Sequence, residues 1–122
     1  MKVRLKYPLL RFLAAFLLSV SSMCASASTF WASWYGAHQR GHKTASGEAF
    51  NPSDLTAASW LYPFGTLLRV TNVHNHKTVI VRVNDRGPSK HTGRGIDISE
   101  RAAVLLGITH RGIAPVTVVE VK

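Results

Sequence analysis

Val79-Ile80-Val81-Arg82-Val83-Asn84-Asp85-Arg86-Gly87-Pro88 is the stretch on which the reading of this chain turns. Val79, Val81 and Val83 share one face of an alternating run, the period of a half-buried strand. Gly87-Pro88 breaks that run, so Asp85 and Arg86 are expected where the strand leaves the sheet and a carboxylate can face a cleft. An isolated Asn-Asp-Arg-Gly also has a plain structural use, in which Asp85 caps the turn or pairs with Arg86. The rest of the chain decides between these.

Working outward, Thr66 to Val73 forms a second strand that pairs with Thr78 to Asn84 through the turn His74-Asn75-His76-Lys77. Beyond Pro88, Ser89 to Gly95 is basic and contains glycine, and is expected to be mobile. Gly95 to Ile98 reads as a brief strand. Ser99 suits an N-cap for a helix over Glu100 to Leu106, which Gly107 ends, and Glu100 in the first turn complements the helix dipole. Pro115 to Val121 is a last strand.

Upstream, the aromatic run Thr29 to Tyr35 is a first strand. Its faces carry Phe30, Ala32 and Trp34 on one side and Trp31, Ser33 and Tyr35 on the other. One set belongs to the core, and the other either packs as well or offers flat apolar area on which a sugar ring can stack. Gly36 to Asp54 is a long ordered loop holding Lys43-Thr44-Ala45-Ser46-Gly47-Glu48, and long loops in small domains commonly carry function. Leu55 to Ser59 is a short turn of helix or strand. Short strands, one helix and long loops in under 100 residues predict a small, mostly β barrel.

The first 27 residues read differently. Lys2, Arg4, Lys6 and Arg11 lead into the apolar run Phe12 to Val20 and then small residues ending in Ala25-Ser26-Ala27, the pattern of a secretory signal peptide over residues 1–27. The run is shorter than the roughly 18 residues that a membrane span requires, so the product is expected to be exported, periplasmic or secreted, without a stable span. Cys24 is the only cysteine and would leave with this segment. A lipid-modified Cys24 is the rival reading, but Ser21-Ser22-Met23 is a poor match to the Leu-Ala-Gly-like triplet that precedes such a residue. Residues 28–122 would then be one domain with one core, folded without disulfides.

The 15 Lys and Arg against 6 acids give a net charge of +9, yet four of the basic residues lie in the signal segment. The remaining excess is spread thinly and suits a polyanionic or acidic-sugar partner. Nucleic acid fits neither export nor the absence of a recognition motif. Six histidines are present, but His74 with His76 and His38 with His42 lie in turns, and no further ligand completes a zinc set. No metal and no cofactor is implied.

Ala32-Ser33-Trp34-Tyr35-Gly36, Lys43 to Glu48, Leu55-Thr56-Ala57-Ala58, Pro63-Phe64-Gly65-Thr66, Arg69-Val70-Thr71-Asn72 and Val81 to Pro88 follow one another in an order that resembles the RlpA family, rare lipoprotein A. Ile96-Asp97-Ile98-Ser99, Ala102-Ala103 and Leu106-Gly107 extend the match over nearly all of residues 29–122. The resemblance implies a six-stranded double-psi β-barrel with one short helix, shared with expansins and family 45 endoglucanases. It also implies a lytic transglycosylase that cleaves peptide-free peptidoglycan strands and leaves 1,6-anhydro ends. Carried over by position, the catalytic carboxylates are Asp85, as acid/base, and Glu48, as its stabilising partner, although the reverse assignment stays open. Arg86, Asn84, Lys43, Tyr35 and Ser59 are the expected substrate-binding set, and Arg82 is a further candidate. One departure stands out: Ser59 occupies the position where relatives carry a histidine, and a serine cannot supply a positive partner near pH 7. That favours an alternative, a noncatalytic glycan-binding or expansin-like wall-loosening module. The SPOR domain common in relatives is not found in this sequence, and possible cell-division partners are left unidentified by it.

Overall fold

The computed structural model describes residues 27–122; the signal segment and Cys24 lie outside the described residues, apart from Ala27. Six strands run β1 (Ser28–Tyr35), β2 (Thr56–Ala58), β3 (Leu67–Asn72), β4 (Thr78–Asp85), β5 (Ile96–Ser99) and β6 (Ile113–Glu120), with one helix, α1 (Glu100–Leu106), between β5 and β6. They close into a barrel in the order β1-β5-β2-β4-β3-β6. Two neighbouring pairs are parallel, β1 with β5 and β2 with β4, and the other four are antiparallel. This is the closed, mostly β architecture with a single helix that the strand pattern and the family resemblance predict.

Alternation builds the core. Val79, Val81 and Val83 of β4 point inward with Leu68 and Val70 of β3, Ile96 and Ile98 of β5, and Ala114, Val116 and Val118 of β6. On β1 the inward set is Phe30, Ala32 and Trp34, whereas Trp31 is half exposed. Close packing around β1 leaves no room at Gly95, where a Cβ would sit 2.3 Å from the Phe30 ring. Helix α1 covers one end of the barrel with Ala102, Ala103 and Leu106. Ser99 caps it by accepting from the Ala102 N–H at 3.4 Å while donating to the Asp54 carbonyl at 2.6 Å, which ties the helix to the long loop. At the other end, buried Asn72 donates to the Leu106 carbonyl at 2.9 Å and pins the helix to the β3–β4 turn.

The segment expected to be mobile, residues 89–95, contains a 3-10 turn at Lys90–Thr92, in which the Thr92 hydroxyl donates to the Ser89 carbonyl at 2.8 Å. Leu55 to Ser59, where the sequence left helix and strand open, contributes a three-residue strand, wholly buried and paired on both sides.

The turn that ends β4 requires one glycine for its backbone. Gly87 has φ of 149°, a region that side chains disfavour, and it is followed by a cis bond to Pro88. A Cβ at Gly87 would meet nothing closer than 3.6 Å, so the restriction is conformational and not a lack of space. Gly87→Ala should therefore lower stability by on the order of 1–3 kcal/mol, measured as a lower urea midpoint with an unchanged slope.

Candidate functional site at the end of β4

The site is assembled where β4 leaves the sheet. Strand β2 pairs with β4 in parallel as Thr56 with Arg82, Ala57 with Val83, and then Ala58 with Asp85, so one extra residue of β4, Asn84, is accommodated between the last two steps. Such a shift re-aims the side chains that follow it. Arg82 and Asn84 project from the outer face, and the shift sets Asp85 in line with Ala58 instead of turning it into the core.

The loop that the sequence singled out folds onto this point. Lys43 and Ala49 form an isolated antiparallel bridge, and the Thr44 hydroxyl and N–H both donate to the Glu48 carbonyl at 2.8 Å. The loop then docks on β4 through the Ser46 N–H to the Asn84 carbonyl at 3.2 Å and the Ala45 N–H to Asp85 Oδ1 at 3.0 Å. Asp85 Oδ1 also accepts from the Arg86 N–H at 2.8 Å. Its other oxygen makes no hydrogen bond among the described residues.

Glu48 lies in the docked loop, against the side chain of Asn84, the residue before Asp85. Its Oε1 accepts from the Asn84 amide at 2.5 Å and sits 3.0 Å from Arg82 Nη1, while Oε2 faces Arg82 Nη2 at 3.4 Å. The Asn84 amide, followed by the Arg82 guanidinium, holds the Glu48 carboxyl below the usual carboxylate range. Glu48 is therefore an anion with a paired charge, suited to orienting and balancing.

Arg86 turns away from both carboxylates. Its Nη1 donates to the carbonyls of Ser59 at 2.8 Å and Tyr62 at 2.9 Å, and its guanidinium lies 3.9 Å over the Phe64 ring. It braces the segment that follows β2. Ser59, buried, donates its N–H to the Asp85 carbonyl at 3.1 Å, and its Oγ accepts from the Leu61 N–H at 3.1 Å. Its side chain is thus engaged in its own turn. Lys43 is exposed, with its stem over Gly47. Tyr35 packs on Phe50 with ring centroids 4.5 Å apart, and its hydroxyl is buried without a hydrogen-bond partner among the described residues. Burial, followed by the charge of Asp85, raises this phenol above its ordinary value.

Two features were not singled out from sequence. Trp60 is half exposed, yet its indole N–H donates to the Pro88 carbonyl at 2.8 Å, which fixes the ring as a platform. It borders a depression with Leu61, Pro88, Lys90, Arg94 and Gly95. The second is Asp97 on β5, which pairs with Ala58 from the side opposite Asp85 and accepts a hydrogen bond from the Ser33 hydroxyl. Alternation in Ile96-Asp97-Ile98 places it outside the core, but only the strand order brings it near Asp85.

A closed six-stranded barrel with mixed pairing and a single helix defines the class as a double-psi β-barrel. The family model described as lytic transglycolase matches residues 27–118, and the chain belongs to that family, the RlpA family. The chain is 51% identical over 85 residues to a probable endolytic peptidoglycan transglycosylase RlpA of Synechocystis, covering 70% of this chain and 26% of the relative. It is 47% identical over 90 residues to the endolytic peptidoglycan transglycosylase RlpA of Neisseria meningitidis, covering 74% and 37%. It thus spans about a quarter to two-fifths of these relatives' length. Among solved structures, a Clavibacter michiganensis expansin aligns with TM-score 0.62 at 28% identity, over 80% of this chain and 51% of that one. A Streptomyces papain inhibitor shares the fold, with TM-score 0.63 at 24% identity over 80% and 96%.

The Glu48–Arg82 pair is about two-fifths exposed on each side, so solvent screens it. Because the folded carboxyl titrates below its ordinary value, its stabilising contribution is present at neutral pH and is lost as pH falls through the depressed value. Glu48→Gln should cost less than about 1 kcal/mol at pH 7, and the difference from the parent should vanish toward low pH in a series of urea unfolding curves.

Proposed function

We propose that this domain is the catalytic unit of an exported endolytic peptidoglycan transglycosylase, acting on peptide-free glycan strands in wall remodelling and leaving 1,6-anhydro ends. The observation that supports the reading is the docking of the Lys43–Ala49 loop on the end of β4, in which Glu48 is held by Arg82 and Asn84 while Asp85 receives the Ala45 and Arg86 N–H groups on one oxygen. Cleavage of a glycosidic bond needs a proton for the leaving oxygen and negative charge near the oxocarbenium-like transition state. Asp85 serves proton transfer, and Glu48 with Arg82 and Asn84 supplies a fixed charge and a rigid wall. The sugar's own 6-hydroxyl takes the place of water, bonds to C1 and gives up its proton, so the product is an internal ring.

Substrate contacts follow from what is free to make them. Lys43 and the Trp60 platform are available to a strand lying across the barrel end, whereas Arg86 and Ser59 act by holding the 59–64 segment in place. Residues 1–27 act as the export signal in this reading. No helix among the described residues is long and apolar enough to cross a membrane.

A second reading, a glycan-binding or wall-loosening module, draws on Ser59 standing where relatives carry histidine and on the likeness to an expansin. One experiment separates the two. The protein is incubated with peptide-free glycan strands and the soluble products are weighed by mass spectrometry. Anhydro-ended fragments are expected from the parent, and Asp85→Asn should lower their rate by roughly 100-fold or more. Strand binding without fragments would leave the module reading in place. In either case Trp60→Ala should weaken strand binding roughly fivefold, the equivalent of about 1 kcal/mol of stacking, by titration calorimetry.

A further inference from the structure

Two half-exposed tryptophans, Trp31 and Trp60, flank the segment that leads into β5. Strand β5 lies between β1 and β2. Trp31 comes just before Ala32, the partner of Ile96, and Trp60 comes two residues after Ala58, the partner of Asp97. Both therefore stand at the start of β5, one on each side of it, and two strand spacings set them about 10 Å apart. Each is tied to one end of the 88–95 segment. The Trp60 indole N–H donates to the Pro88 carbonyl at 2.8 Å, and the Trp31 carbonyl accepts from the Gly95 N–H at 2.9 Å. The depression beside Trp60 has a counterpart of about 360 Å³ beside Trp31, where Thr92, Gly93, Arg94 and Ile113 complete the lining. Arg94 borders both depressions.

Arg94 also differs from the other arginines near the site. Arg82 is paired with Glu48, and Arg86 is closed in by two carbonyls and a ring. The backbone N–H of Arg94 donates to the Thr92 hydroxyl at 3.2 Å, but its guanidinium has no hydrogen bond or ion pair among the described residues. The residue is half-buried, so its charge has given up part of its water without gaining a partner. That charge also reaches the carboxylate site: burial raises the Asp97 carboxyl, and Arg94 opposes the rise.

We propose that Arg94 reads the free lactyl carboxylate of a muramic acid residue while sugars on either side of it stack on Trp31 and Trp60. The proposal rests on the glycan strand as ligand, and not on its cleavage. Tryptophan faces offer flat apolar area to sugar rings, and a planar guanidinium takes both oxygens of a carboxylate in paired bonds. In a strand that carries its peptide, the same carboxyl is an amide. It then has no charge and only one oxygen, and the peptide stands where the guanidinium must approach. A polymer of N-acetylglucosamine alone presents the rings and lacks the acid. A subsite built this way selects peptide-free strands by charge, within the barrel domain itself.

The test reads binding alone. By titration calorimetry the protein should hold peptide-free strands roughly tenfold more tightly than the same strands with their lactyl carboxyls converted to methylamides. N-acetylglucosamine oligomers of equal length should bind at the weaker level. Arg94→Gln should lose most of this preference and the salt dependence that goes with it. Trp31→Ala should weaken all three ligands roughly fivefold and keep the preference. Lys90→Gln removes an equal charge 5.1 Å from the Trp60 ring centroid, on the exposed side of the segment, and should keep the preference too. The comparison of ligands on the parent needs no variant, so it decides if Arg94→Gln fails to fold. Equal binding of the three ligands, a preference that survives Arg94→Gln, or one lost equally in Lys90→Gln overturns this proposal and leaves the transglycosylase reading standing. A parent that shows the preference and cuts no strand supports the subsite and overturns the transglycosylase reading. A parent that binds none of the three overturns both.

Discussion

The single extra residue in the pairing of β2 with β4 is the constraint on which the site depends. Up to Val83 the strand obeys strict alternation and delivers its valines to the core. Inserting Asn84 before the next paired step breaks that alternation at the one place where a carboxylate would otherwise face an apolar interior at heavy cost. The same step frees the Asn84 carbonyl and amide for the 43–49 loop. The loop is therefore held by the irregularity, and the irregularity is held by the loop.

Three acidic side chains gather at this end of the barrel in three different environments. Glu48 is paired and solvated, Asp85 is gripped at one oxygen by two backbone N–H groups, and Asp97 is half-buried beside a hydroxyl. Position alone thus moves the Glu48 carboxyl down and the Asp97 carboxyl up, the kind of separation on which a division of work among carboxyls rests. The basic residues nearby are mostly spent on architecture. Arg86 is the clearest case, with its guanidinium closed in by two carbonyls and a ring.

Much of this was legible in the sequence. The period of Val79 to Val83 gave β4 and its inward face, Ser99 and Gly107 bounded the helix, and the breakers at Gly87-Pro88 located the strand end. Motif order carried the family and the closed barrel, which periodicity alone does not, since a two-residue repeat says nothing of which strands are neighbours. For the same reason Asp97 escaped notice. It is 12 positions from Asp85 in the chain, and only the placement of β2 between β4 and β5 puts the two on one row. Trp60 escaped because its fixing contact is a carbonyl 28 residues away.

The closed ring of strands has a consequence for how this protein meets its surroundings. Among the described residues every strand has a neighbour on both sides, so the sheet has no edge strand that is unpaired along its whole length. Association by strand addition is thereby disfavoured. Whatever it grips, it grips with side chains and loops, and in a crowded compartment it can sit among partly folded polypeptides without templating them into a shared sheet.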